Sequence, residues 1–330
     1  MRALRVFALH HHVVGDQHFV DRCYEIVIIY RKNIKGVPSE FQEALTLLQR
    51  PVFFVSPKGR ASEQGTAPSR RRQAFDTQEA QCLASLDIFV IAGGLGTRIG
   101  AVLGATPKLL APISGRPYLK YLFDWLRRFG AKRVVLGLGH HAQSVLDFLD
   151  RDASTTAGLD VVPVIEPRPL GTAGAIRFAR GQLRSDPVLI MNGDSFADAD
   201  LCALVARHRG AGAKATLLCV DADDAGRYGR VEIDAAGRIG GFIEKDANFH
   251  GTGPISAGVY LFSAALIDEI ATGNAVSLEH DVFATAPPGS FAALAGRFTF
   301  IDIGTPESLK AAERVIGPKF SGTAAGGRPA

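Results

Sequence analysis

Sulfur is scarce in this chain, and long greasy runs are absent from it. Four cysteines, Cys23, Cys82, Cys202 and Cys219, are scattered through 330 residues. They show neither disulfide pairing nor metal-ligand spacing, so reduced, buried thiols in a cytosolic protein are the expectation. No apolar run approaches the ~20 residues that span a bilayer, which excludes a membrane-spanning helix. The N-terminus is interrupted by His10-His11-His12 and Asp16 and makes a poor secretory signal. Nor is there a large excess of one charge. The net charge of +4 resides in residues 1–86, which hold 12 Lys/Arg against 8 Asp/Glu; the remainder holds 25 of each. A neutral main body is no nucleic-acid surface, and Arg70-Arg71-Arg72 lies in a Ser/Gln/Pro-rich stretch that reads as solvated linker.

What the chain does have is apolar content of 47% and one commanding stretch, Asp87-Ile88-Phe89-Val90-Ile91-Ala92-Gly93-Gly94-Leu95-Gly96-Thr97-Arg98. An apolar run of strand length feeds a glycine-rich turn. Such a turn aims several N–H groups at one point and admits a ligand close to the backbone. Arg98 and, ten residues on, Lys108 add positive charge, so the turn suits a phosphate. A dinucleotide fingerprint is excluded, because Ile99 stands where the third glycine of Gly-x-Gly-x-x-Gly belongs. A Walker loop is excluded too, because Lys108 follows Pro107 and precedes Leu109.

Residues 1–85 carry no motif. Glu25–Tyr30 and Pro51–Val55 read as strands, Ser39–Leu48 as a short helix, and 56–72 as linker. The segment reads as a small accessory domain, as a fragment that does not fold independently, or as lying ahead of a natural start near Leu86. From Leu86, strands and helices alternate. Helices are expected at Tyr118–Phe129, Ala142–Leu149, Thr172–Arg180 and Ala199–Arg209. Strands are expected at Arg133–Gly137, Leu159–Glu166, Pro187–Asn192 and Ala213–Val220. Such repetition implies an α/β fold, a Rossmann-like, mostly parallel sheet with helices on both faces. In such sheets ligands bind beyond the C-terminal strand ends. The last third adds antiparallel hairpin strands around Ala235-Ala236-Gly237, with further strands at Pro254–Phe262 and Arg297–Ile303. A helix capped by Thr305-Pro306-Glu307 then runs to about Ile316. Residues 86–317 would form the main domain and 318–330 a disordered tail.

Ala92-Gly93-Gly94-Leu95-Gly96-Thr97-Arg98 followed by Thr106-Pro107-Lys108-Leu109-Leu110-Ala111-Pro112 resembles the signature of the sugar-1-phosphate nucleotidyltransferases. The resemblance extends from about Leu86 to about Gly317. It implies a cytoplasmic enzyme that joins a nucleoside triphosphate to a sugar 1-phosphate and releases pyrophosphate. The acyltransferase β-helix of some relatives is missing, since no hexapeptide repeat follows. The sugar phosphate is already ionised at pH 7, so the difficulty is positioning and charge rather than proton transfer.

On this resemblance Ala92, Gly93, Gly94, Gly96, Thr97 and Arg98 hold the β- and γ-phosphates, and Lys108 bridges to the reacting centre. Asp194 in Asn192-Gly193-Asp194-Ser195 and Asp302 in Phe300-Ile301-Asp302-Ile303-Gly304 would hold Mg²⁺, which favours a few carboxylates together with phosphate and water. Glu166, Gly171 and Thr172 belong to a base-recognition loop. A carboxylate at Glu166 can accept both guanine N1–H and N2–H₂, whereas uracil offers one N–H and is disfavoured without being excluded. Tyr228, Gly229, Glu244, Lys245 and Ser256 match the sugar-site motifs; relatives usually carry asparagine where Ser256 stands. Lys245 would hold the sugar phosphate and help neutralise the α-phosphate. The histidines, His140-His141 included, show no metal spacing and read as ordinary polar residues. With Ser277-Leu278-Glu279-x-Asp281, the motifs look most like the heptose branch, which makes GDP-D-glycero-α-D-manno-heptose from GTP for bacterial surface polysaccharide. Mannose-1-phosphate guanylyltransferase is the runner-up, with a UTP- or dTTP-dependent enzyme as a further alternative. Homo-oligomerisation stays open.

Overall fold

The computed structural model describes residues 81–94, 96, 99–243 and 250–320. All of them fall within the unit Ala67–Ala330. The elements expected before residue 72 lie outside the described residues, as do Thr97, Arg98, Glu244 and Lys245.

Along the chain the strands are β1 (Asp87–Ala92), β2 (Pro112–Ile113), β3 (Arg116–Pro117), β4 (Arg133–Leu138), β5 (Asp160–Ile165), β6 (Val188–Asn192) and β7 (Ser195–Asp198). They continue with β8 (Ala215–Ala222), β9 (Arg230–Ile233), β10 (Ile239–Ile243), β11 (Gly253–Phe262), β12 (Ala292–Gly296) and β13 (Thr299–Asp302). The helices are α1 (Gly100–Leu103), α2 (Tyr118–Arg128), α3 (Ala142–Arg151), α4 (Thr172–Ala179), α5 (Leu201–Ala211), α6 (Ala264–Thr272) and α7 (Pro306–Ile316).

β5, β4, β1 and β6 lie side by side and parallel. β1, β4 and β6 are covered on both faces, which is why β1 reads as an unbroken apolar run, while β5 at the edge is partly exposed. Successive residues point to opposite faces. Ile88 and Val90 join the core on one side with α2, while Phe89 joins the other with α4 and α6. Beyond β6 the sheet turns antiparallel through β11, which also pairs with β8 and β9; β12 runs parallel to β8. The Rossmann-like reading with antiparallel additions holds.

Local chemistry sets the helix ends. Leu119, Leu122, Phe123 and Leu126 form the buried stripe of α2, and Gly130 at φ +79° lets the chain leave it. Thr305 caps α7 through the Ser308 N–H, Ser308 caps back, and Pro306 sits in the first turn. β7, β12 and α6 went unread in the sequence. The short run of β7 follows a turn, β12 is mostly alanine, and α6 follows the strand β11 without a break beyond its Ser263 cap.

Two ends pack outside the bounds 86–317. Leu83 is fully buried, and its N–H donates to Phe129 O at 3.0 Å. Phe320 is buried against Tyr121 and Phe196 under the Arg128 guanidinium. The expectation of reduced thiols is corrected at one pair: Cys82 and Cys202 form a disulfide, while Cys219 is free and buried. The turn before β1 packs at the start of α5 and brings the two Cα atoms to 5.4 Å. A contact between residues 120 positions apart leaves no mark in local spacing. Among the described residues no helix is long and apolar enough to cross a membrane.

Candidate active site

The site is built on the C-terminal ends of β5, β4, β1 and β6. Each strand end is tied to its neighbour: Glu166 N–H donates to Leu138 O, and Gly193 N–H to Ile91 O, both at 2.8 Å. Glycine at three of these ends lets the backbones close up. A Cβ on Gly139 would lie 2.4 Å from Gly93 O, and one on Gly193 would lie 2.9 Å from Ala92 Cβ. Above these ends opens a cavity of about 350 Å³. Gly93, Gly94, Gly96, Lys108, Glu166, Gly171, Thr172, Asn192 and Asp194 all line it.

Lys108 is delivered by a single 3-10 turn, Lys108–Leu110, anchored by buried Leu109. Its side chain passes Gly96, whose Cβ would lie 3.5 Å from Lys108 Cε. The ammonium reaches Asp194 Oδ2 at 2.7 Å. Asp194 stands just beyond β6, and its carbonyl accepts the Ile303 N–H at 2.7 Å. β13 pairs antiparallel with β7, placing Asp302 opposite Ser195. The two acidic motifs, more than a hundred residues apart in sequence, are therefore neighbours. Tyr118, fully buried, donates to Ser195 O at 2.7 Å. Burial, reinforced by the charges of Asp194 and Asp302, pushes its hydroxyl pKa far above the ordinary value. The phenol stays protonated and acts as a fixed donor.

Glu166 folds back over Gly93. A Cβ on Gly93 would meet Glu166 Oε1 at 2.7 Å, so only glycine leaves room for the carboxylate. Glu166 Oε2 accepts the Leu170 N–H at 3.3 Å, while Oε1 has no hydrogen-bond partner. Burial raises the carboxyl pKa, with the Leu170 N–H acting the other way. Gly171, at φ +78°, leads into α4. The Thr172 hydroxyl is not offered to the cavity: it donates to Glu279 Oε2 at 3.2 Å and accepts the Leu278 N–H at 2.7 Å.

Of the expected sugar-site residues, Tyr228, Gly229 and Ser256 lie outside this cavity lining. Tyr228 packs edge-on against Phe300, two residues before Asp302, with centroids 5.9 Å apart. Gly229 makes room for the Phe242 ring. Ser256 donates to Tyr260 Oη at 3.2 Å, at the start of an irregularity in β11 where Gly258 approaches the Asn192 amide. His140 and His141, read from sequence as ordinary polar residues, line the cavity with their rings 4.5 Å apart. Their position just past the end of β4, a parallel strand, was the available signal.

Residues 88–316 match the nucleotidyl transferase family. The chain belongs to that family. It is 34% identical over 228 residues to the mannose-1-phosphate guanylyltransferase of Mycobacterium tuberculosis, an alignment covering 68% of this chain and 62% of that protein. It is 30% identical over 232 residues to the D-glycero-alpha-D-manno-heptose 1-phosphate guanylyltransferase of Aneurinibacillus thermoaerophilus, covering 70% and 98%. The chain thus spans about six-tenths of the length of the mannose relatives and nearly all of the heptose one. Among solved structures, HddC from Yersinia pseudotuberculosis superposes with a TM-score of 0.62 at 32% identity, over 69% of this chain and 98% of that one. A second crystal structure of that protein holds GMP-PN. This nucleotidyl transferase therefore shares its fold with proteins about its own main domain in size.

Proposed function

We propose that this protein transfers GMP from GTP to D-glycero-α-D-manno-heptose 1-phosphate, releasing pyrophosphate. The observation that carries the transfer reading is the meeting of Lys108, Asp194 and the Asp302 strand at the edge of a glycine-walled cavity. An oxygen of the sugar phosphate attacks the α-phosphorus, and the bond to pyrophosphate breaks. The loop amides of Gly93, Gly94 and Gly96 face the β- and γ-phosphates. Lys108, together with Arg98 and Lys245 from outside the described residues, neutralises charge that two anions bring together. No proton need move at the sugar phosphate.

The donor set fits Mg²⁺. Asp194 and Asp302 supply oxygen only, and among the described residues no cluster of three or more His, Cys, Asp or Glu is disposed to hold a metal alone. Mg²⁺ accepts such a sparse protein shell because phosphate and water complete it, and when bound it supplies charge stabilisation at the leaving phosphates. Guanine is favoured by the unpartnered oxygen of Glu166 on the cavity wall. The A. thermoaerophilus heptose 1-phosphate guanylyltransferase, matched over 98% of its length, supports the heptose acceptor. The 34% identity to the M. tuberculosis enzyme keeps mannose 1-phosphate as a second reading. The product would serve surface-polysaccharide synthesis from the cytoplasm.

The test is pyrophosphate release with each of four nucleoside triphosphates, crossed with heptose and mannose 1-phosphates, with and without Mg²⁺. Release from GTP with the heptose phosphate is expected. Activity with UTP but not GTP removes the base assignment. Near-normal metal-dependent turnover in Asp194→Ala removes its metal role.

A further inference from the structure

Residues 276–281 form a strap behind the Glu166–Thr172 loop. Gly171 lies so close to it that a Cβ would sit 2.4 Å from Val276 O. Ala173 N–H donates to Val276 O at 2.9 Å. The strap is itself stiffened by Asp281, whose Oδ2 accepts the N–H groups of Val276 and Ser277 at 2.7 and 2.9 Å. Glu279 is its centre: Oε2 accepts both the Thr172 hydroxyl, at 3.2 Å, and the Ser277 hydroxyl, at 3.0 Å. Because Thr172 Oγ1 already accepts the Leu278 N–H at 2.7 Å, its proton has one good destination, the Glu279 carboxylate. The loop is closed at its other end by the Leu170 N–H on Glu166 Oε2. An unbroken path therefore runs from Glu279 through Thr172, Gly171 and Leu170 to the Glu166 carboxylate.

We propose that Glu279 is a positioning residue for nucleotide selection: it holds the Thr172 hydroxyl, pins the Gly171–Thr172 turn to the strap, and so fixes the Leu170 N–H that aims Glu166. This rests on the reading of Glu166 as the base-recognition group. Glu279 itself is not a cavity-wall residue, and its Oε2 is shared by two hydroxyls. Removing an acceptor that a charged group supplied to a partly buried hydroxyl costs enough to loosen the turn. The chemistry at the α-phosphorus is left intact.

The experiment uses the full chain. Equilibrium binding of GTP and UTP without acceptor, and steady-state kinetics with it, are compared for wild type, Glu279→Ala, Glu279→Gln, Thr172→Val and the double variant Thr172→Val/Glu279→Ala. Glu279→Ala should weaken GTP binding about ten-fold and shrink the GTP-over-UTP preference, with kcat changed by less than about two-fold. Glu279→Gln, which keeps an acceptor oxygen, should recover most of the loss. In the Thr172→Val background Glu279→Ala should do nothing further. Unchanged GTP binding in Glu279→Ala, or a full effect persisting without the Thr172 hydroxyl, overturns the proposal. So does a rise confined to KM for the sugar phosphate, which would make Glu279 an acceptor contact. Should Glu279→Ala not fold, Thr172→Val must show the same ten-fold loss. If wild type selects UTP, the guanine assignment fails, and the same variants are read on UTP.

Discussion

The close backbone approach of β4 to β1 at the site gives a pair of substitutions with opposite signatures. Gly139→Ala places a methyl 2.4 Å from Gly93 O and 2.8 Å from Gly93 Cα, well inside the 3.5–4.0 Å of an ordinary contact. Both partners are backbone, and they follow Leu138 and Ala92, which are paired in the β1–β4 ladder, so relief requires the strand ends to part. Overpacking of this kind costs about 1–3 kcal/mol, and an immovable neighbour puts it at the upper end. For a domain of this size each kcal/mol lowers Tm by about 2–4 °C, so a fall of roughly 6–12 °C is expected. Gly93→Ala also produces a short contact, but with the far end of a side chain, Glu166 Oε1 at 2.7 Å. That carboxylate can swing away. Tm should stay within about 2 °C. GTP binding should weaken about ten- to a hundred-fold, the value of one hydrogen bond to a charged group. Gly94→Ala meets nothing within 4 Å and controls for stability. Differential scanning fluorimetry and GTP titration give both readouts. A Gly139→Ala protein melting like wild type, or a Gly93→Ala protein with intact GTP affinity, would refute the reasoning.

The remaining expectations concern pH, redox state and the C-terminal end. Burial raises the Glu166 pKa, and the ionised form is the one that accepts the base's N–H groups. GTP affinity should be full above that raised pKa and lost as pH falls through it; Glu166→Gln should flatten this limb, and an identical pH profile in that variant counts against the assignment. The Cys82–Cys202 bond closes a loop of 120 residues, for which chain entropy sets a ceiling of about 4.9 kcal/mol. Cys202→Ser, or reductant with thiols confirmed free by titration, should lower Tm by as much as roughly 10–20 °C; no change would show that the bond does not constrain the unfolded chain. Phe320→Ala should cost about 3–5 kcal/mol in urea unfolding, because the ring is buried against Tyr121 and Phe196; a loss under about 1 kcal/mol would mean the end is not load-sharing with the core.

Why the strands were readable and the site only partly so follows from where each signal resides. β1, β4 and β6 are buried on both faces, and continuous apolar runs announce such strands locally. The α7 cap is likewise written in three adjacent residues, Thr305, Pro306 and Glu307. The contact of Asp302 with the Asp194 motif is different. It depends on the ladder between β7 and β13, and β7 is a four-residue strand tucked behind a turn. Sequence could place both aspartates at strand ends but could not bring the ends together. Phe320 and the Cys82–Cys202 pair share that difficulty, since their partners are distant and their neighbourhoods carry no period. His140 and His141 lack metal spacing, and their place on the cavity wall follows instead from position just beyond the parallel strand β4. Glu279 was noticed as part of a motif, yet its bond to Thr172 bridges 107 positions.

The Lys108–Asp194 pair shows how such a site can be assembled before its substrates arrive. With side chains 21% and 30% exposed, the pair contributes little to stability, on the order of 0–1 kcal/mol. Its use is charge balance. Without Lys108, the Asp194 carboxylate would have no paired cation among the described residues. Without Asp194, the ammonium would stand over a cavity walled largely by glycine and apolar side chains. On the proposed reading, Lys108 would turn to an entering triphosphate, and Asp194 would then be free to help hold Mg²⁺, which would supply charge stabilisation there. Each of the two charges would exchange one partner for another. A weak, partly wet pair suits this exchange; a deeply buried one would resist it, because separating it would cost several kcal/mol.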